Sequence, residues 1–147
     1  MPIYQTISDL GRENIVSEIA AMKWQCEQCK TVNDLNPVDR EFSKDGKVVL
    51  LVEVKCRKRS FDQYETYLID VEKLKNLAKA ADEREVKAAL IIGLTDGIYW
   101  MSVTSDQPWP VERKGRDDRG DPNDMDDCYM IPMTEFRKIS SGNIWEM

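Results

Sequence analysis

The feature that most constrains this chain is the run Val48-Val-Leu-Leu-Val-Glu-Val54, followed at once by Lys55. Alternate residues of a strand face opposite sides. Here both sides are apolar, with Val48, Leu50, Val52 and Val54 on one and Val49 and Leu51 on the other. Such a strand must be covered above and below, which predicts the centre of a layered α/β arrangement. Glu53 and Lys55 depart from the pattern. They lie two positions apart and so share a face, about 6.6 Å from each other along the strand. A solvated surface ion pair is the plain reading of two such charges, but Val49 and Leu51 precede them on the same face.

Helical spacing of Ile15, Val16, Ile19, Ala20 and Met22 predicts a first amphipathic helix over Asp9 to Trp24, with Ser8 or Asp9 as N-cap. Cys29 to Leu35 reads as a short extended segment. Val38 to Phe42 and Lys47 to Lys55 read as a hairpin turning at Asp45-Gly46. A second helix is expected between Gln63 and Glu83, with Tyr67, Leu68, Val71, Leu74, Leu77 and Ala78 on one face. Ala88 to Leu94 is then a parallel neighbour of the Glu53 strand, reached by a right-handed crossover. Asp96-Gly97 leads into a strand over Ile98 to Val103. The stretch from Ser105 to Asp127, punctuated by Pro108, Pro110, Gly115, Gly120 and Pro122, reads as a long surface loop. Cys128 to Pro132 reads as a last edge strand, and Thr134 to Ile139 as a short turn of helix. The 147 residues fit one domain, 1–147, with a real core.

Several chemistries drop out. The chain has no histidine, which removes Ser/His/Asp and Cys/His machinery and histidine-based zinc hydrolysis. It has no glycine-rich phosphate loop, so no nucleotide cofactor is expected. No apolar run reaches a membrane span, and Met1-Pro2-Ile3-Tyr4 does not open like a secretion signal, so a cytoplasmic setting is the expectation. Cys26 and Cys29 have knuckle spacing and Cys56 and Cys128 could complete a four-thiolate zinc set. Structural zinc ligands come as two close pairs, however, and Cys56 and Cys128 are isolated, so reduced, partly buried thiols are the better reading.

Carboxylates, lysine and a metal are what remain for catalysis. Asp39 and Glu53 supply hard oxygen ligands, and Lys55 supplies a cation near developing charge. Whether Asp39 reaches Glu53 depends on the turn. A loop of Asp45-Gly46 alone pairs Asp39 with Val52 and points it to the wrong face. A three-residue loop of Lys44-Asp45-Gly46, with Gly46 left-handed, sets Asp39 opposite Leu51 and diagonal to Glu53.

This α-β-β-β-α-β order with Asp39 and Glu53-Val54-Lys55 resembles the PD-(D/E)xK nuclease superfamily. The likeness extends to Pro37-Val38-Asp39-Arg40, Cys56-Arg57, Tyr64-Glu65-Thr66-Tyr67, Lys73, Asp96-Gly97-Ile98-Tyr99 and Ile131-Pro132-Met133, the layout of small phage nuclease-like proteins and Holliday-junction-resolvase-like enzymes. The resemblance implies a restriction-endonuclease-like α/β core, a central mixed sheet flanked by helices. It implies a Mg2+-dependent DNA endonuclease, with Mn2+ as substitute, of bacterial or phage-infected cytoplasm, and branched DNA is within its range. Asp39 and Glu53 would hold the ion, with the Val54 carbonyl as a third ligand and Lys55 beside the attacking water or scissile phosphate. A helix-borne glutamate, Glu13 with Glu18 in reserve, would complete the site. Val38 stands where the motif has proline.

Arg57, Lys58 and Arg59 directly follow the strand, where a nucleic-acid backbone would pass, and Tyr64 and Lys73 border the cleft. Tyr67 reads as core. A net charge of −6 and a pI near 4.8 oppose binding to a polyanion, although much of that charge lies in the site carboxylates and in Asp117 to Asp127. A homodimer could gather basic residues along one groove. The competing class is a nuclease-fold module that binds nucleic acid or a protein without cutting.

Overall fold

The computed structural model of the chain describes residues 3–30, 40–114 and 126–146. Asp39 lies outside the described residues. Strand β3 (Lys47–Cys56) stands inside a six-stranded sheet ordered β1-β2-β3-β5-β6-β9, with β1 at Glu27–Lys30, β2 at Arg40–Lys44, β5 at Lys87–Leu94, β6 at Gly97–Val103 and β9 at Arg137–Ser141. The β3–β5 pair is parallel, from Leu50 opposite Lys87 to Cys56 opposite Gly93, and the other pairs are antiparallel. The mixed α/β sheet is that of a restriction-endonuclease-like core.

Helix α1 (Ile3–Lys23) covers one face. Val16 and Ala20, one turn apart, are fully buried against Val52, Val54, Ile91 and Ile98. The contact is close because residue 93 has no side chain: a Cβ there would stand 2.6 Å from Val16 Cγ2 and 2.7 Å from Ile144 Cδ1. The helix begins at Ile3, so neither Ser8 nor Asp9 caps it, and Met22 is 77 % exposed rather than packed.

The opposite face is covered by helix α2 (Val71–Arg84) and by a second sheet, β4-β8-β7, formed from Thr66–Asp70, Asp126–Pro132 and Val111–Lys114. Asp70 caps α2, its carboxylate accepting from the Glu72 amide at 2.9 Å. Glu85 ends the helix in the left-handed conformation at φ 56°. Leu74, Leu77, Ala78 and Ala81 pack down onto Leu51, Leu90 and Ile92.

Several expectations change here. Residues 66–70, expected as the start of the second helix, form β4, because Tyr67 and Ile69 alternate into the core at 0 and 3 % exposure. The expected 105–127 loop contains β7, and the Cys128 strand is the middle of its sheet rather than an edge. The expected helical turn at 134–139 is a 3-10 turn over Met133–Glu135 followed by β9. The expected extension near Cys29 is β1, which begins earlier, at Glu27.

The hairpin register also differs. Asp45 and Gly46 form a two-residue turn with φ 54° and 78°. The ladder then slips between Phe42 and Ser43, so that Phe42 pairs with Leu50 but Ser43 with Val48. The slip leaves Val49 as a bulge. Leu51 consequently faces Glu41, not Asp39, and Val52 faces Arg40.

Candidate active site

Beyond the bulge, β3 alternates strictly. Val52 and Val54 join the α1 core, whereas Leu51 joins the α2 core and is followed on that side by Glu53 and Lys55. Glu53 is 6 % exposed. Its Oε1 lies 3.6 Å from Lys55 Nζ and 3.5 Å from Lys73 Nζ. Lys73 comes from the first turn of α2, so the position of Asp70 as N-cap also sets where that ammonium stands. Lys73, expected at the border of the cleft, stands beside Glu53 with its side chain still half exposed. A buried carboxylate needs compensating charge, and two lysines supply it.

The end of β3 opens into a basin of about 500 Å3 between Arg12 and Glu13 of α1, Lys55, Arg57, Lys58 and Trp145. Lys55 links the two parts: its ammonium pairs with Glu53 and its side chain lines the basin. Glu13 thus lines the same basin as Lys55, while Glu18 is exposed along the helix. Four basic residues against one acidic residue make the basin locally positive although the chain is acidic overall.

Arg57 and Arg59 are tied down more than a surface run would be. Arg57 Nη2 donates to the Leu68 carbonyl at 2.8 Å and its guanidinium lies 4.4 Å from the Tyr67 ring centre. Arg59 is 8 % exposed and donates through Nη1 to the Thr66 carbonyl at 3.3 Å. Both therefore brace β4 against the end of β3. Burial lowers the Arg59 pKa and raises the Tyr67 phenol to about 12, against the opposing pull of Arg57. Lys58 remains exposed.

The segment after β3 is pinned along β5. Arg57 N–H donates to the Gly93 carbonyl, Thr95 N–H to the Arg59 carbonyl, and Phe61 N–H to the Asp96 carboxylate at 3.1 Å. Asp96, part of the turn quoted in the family resemblance, therefore holds this segment in place, and burial, with Asp96 second, raises the Tyr99 pKa. Arg12 and Trp145, stacked at 5.2 Å, were not singled out from sequence. Only their meeting across the chain ends reveals them.

Among the described residues no group of three or more Cys, Asp or Glu side chains is placed to hold a metal, and Asp39, the expected partner of Glu53, is outside them. The donor chemistry that is described fits a hard cation, because on the Glu53 side it is carboxylate oxygen. The four-thiolate alternative does not assemble among the described residues: Cys56 packs with the α1 core and Cys128 sits on β8 in the other sheet.

This fold is that of the PD-(D/E)xK nucleases. Hjc, a Holliday junction resolvase from the archaeal hyperthermophile Archaeoglobus fulgidus, shares the fold with a TM-score of 0.51 at 13% identity, over 84% of this chain and 95% of that one. A family model described as "Phage putative PDDEXK endonuclease" matches residues 1–139, and the chain belongs to that family. No curated protein matches it. Among the described residues no helix is long and apolar enough to cross a membrane.

Proposed function

We propose that this chain is a divalent-metal-dependent DNA endonuclease that hydrolyses phosphodiester bonds in the bacterial or phage-infected cytoplasm. The observation that carries the reading is the Glu53 carboxylate, buried at the end of a central strand and shared by two lysines, in a member of an endonuclease family. Glu53 and Asp39 would hold Mg2+ or Mn2+, with the Val54 carbonyl and Glu13 completing its shell. When bound, such an ion lowers the pKa of a water and neutralises phosphate oxygens.

The chain's own groups do the rest. Lys73 keeps Glu53 Oε1 fixed from the helix side. Lys55 reaches from Glu53 into the basin, where it can orient the attacking water or stabilise charge on the phosphate. Arg12, Arg57 and Lys58 offset the acidity of the chain where the DNA backbone would lie. A two-fold dimer would present two such basins to a duplex or branch.

The test is incubation of the protein with supercoiled, linear, single-stranded and branched DNA in Mg2+, Mn2+ or EDTA, beside Asp39→Ala and Glu53→Ala. Metal-dependent cutting by wild type, absent in both variants, is the expected result. Failure of wild type to cut any of them would leave the non-cutting module as the reading.

A further inference from the structure

A second basin, of about 380 Å3, adjoins the first, and Arg57 and Lys58 belong to the walls of both. Its far wall carries Gln63 and Tyr64. Behind that wall a column of alternating rings and charge rises out of the core. Phe136 meets Tyr67 at 5.7 Å, Arg59 lies 5.6 Å from the Tyr67 ring centre, and the same guanidinium lies 4.8 Å from the ring centre of Tyr64. The lower members are buried, Tyr67 at 0 % and Arg59 at 8 % exposure, whereas Tyr64 is 57 % exposed. The column therefore ends in an aromatic ring with one face on a cation and the rest open to water.

Two properties separate this ring from an ordinary surface tyrosine. First, it is held in place before anything binds: Arg59 is fixed to the Thr66 carbonyl, so presenting the open face of Tyr64 costs little further ordering. Second, Arg59 Nε and Nη2 are buried without hydrogen-bond partners among the described residues. A guanidinium so placed depends on the rings that sandwich it, and anything that excludes water above Tyr64 strengthens that contact. Lys58, exposed at the rim, supplies charge for a phosphate.

We propose that Tyr64 is a stacking platform for an unpaired nucleobase beside the bond that is cut, making DNA with a displaced nucleotide the preferred substrate over continuous duplex. Every base offers a π-face, so such a platform does not read sequence. A base can reach it only by leaving its own duplex stack, which is least costly where it is already unpaired. The position of the cut rests on the nuclease reading; the capture of the base does not.

The probe is a duplex oligonucleotide with a three-nucleotide bulge carrying 2-aminopurine, beside the same label in a fully paired strand, both titrated with the whole protein in EDTA. Wild type and Tyr64→Phe should quench the bulged label and leave the paired one unchanged. For Tyr64→Ala the ratio of affinities for bulged over paired DNA, both read from the anisotropy of a terminal fluorophore, should fall about tenfold or more. Equal quenching by Tyr64→Ala, or an equal loss on both DNAs, would overturn the platform. Quenching that depends on Tyr64 without any cleavage in Mg2+ would keep the platform and reject the nuclease. Cleavage that is indifferent to Tyr64→Ala on bulged DNA would do the reverse.

Discussion

On its α1 side the central pair β3 and β5 presents Val52, Val54 and Ile91, each at most 1 % exposed, and then Gly93, where the helix comes closest. On the α2 side the same β3 strand passes from Leu51, fully buried, into Glu53 and Lys55. One face anchors and the other displays, and strand alternation keeps them separate. The strand that carries Glu53 is thus seated largely by apolar side chains that point away from the carboxylate, while the two lysines hold its Oε1.

The largest expected effect belongs to the display side. Glu53→Ala and Lys55→Ala should each lower cleavage by at least about a hundredfold while shifting unfolding free energy by only about 1 kcal/mol, since in the first Lys55 and Lys73 can return to solvent and in the second Lys73 still pairs with Glu53. Cleavage assays paired with urea titrations check this, and a large loss of stability would break the division of labour. Next comes Tyr67, in the α2-side core. Its folded pKa of about 12 lies above the ordinary 10, so its contribution is complete below pH 10 and is lost as pH rises through 12. That amounts to about 2 to 3 kcal/mol over the interval. Tyr67→Phe should show a shallower alkaline decline in denaturant midpoint, and near-neutral stability at pH 7 because the buried hydroxyl has no partner among the described residues. Parallel declines would remove this phenol as the cause.

On the anchoring side, Gly93→Ala should cost about 1 to 3 kcal/mol, because the new methyl meets Val16 and Ile144 well inside contact distance. Thermal melts would show it, and cutting per folded molecule should stay close to wild type. An unchanged melting temperature would mean that α1 moves freely over the sheet. The smallest effect is expected of Asp70→Ala, about 1 kcal/mol from the lost cap. It bears on both faces of the comparison, because the first turn of α2 carries Lys73. A Mg2+ dependence that shifts with the cap would sharpen the link between helix start and site.

Much of the six-stranded sheet was legible because its signals are long and redundant. Val48 to Val54 is apolar on both faces, Ala88 to Leu94 repeats that pattern, and α1 repeats its apolar pairs at helical spacing. The three-stranded sheet was not, for a physical reason. In Tyr67-Leu68-Ile69-Asp70-Val71 apolar residues are nearly continuous, so the first turn of a helix and a short strand fit equally well, and only the cap at Asp70 marks the switch. The bulge at Val49 was hidden because register follows from three-dimensional pairing, and it is what overturned the expected partner of Leu51. Glu53 and Lys55 were found from charge on an apolar face. The destination of Lys73 was not, since on a helix surface a lysine bound for a buried carboxylate has the same local sequence as one bound for solvent.

At the far end of the large sheet, β9 has a neighbour on one side only among the described residues. A free strand margin is a template on which another copy of the chain could polymerise. Its first two residues, Arg137 and Lys138, are exposed cations, and an incoming identical margin would meet like charge before it could align. Colloidal behaviour at high concentration is thereby guarded by two side chains remote from any chemistry, and exchanging both for valine would turn that rim adhesive.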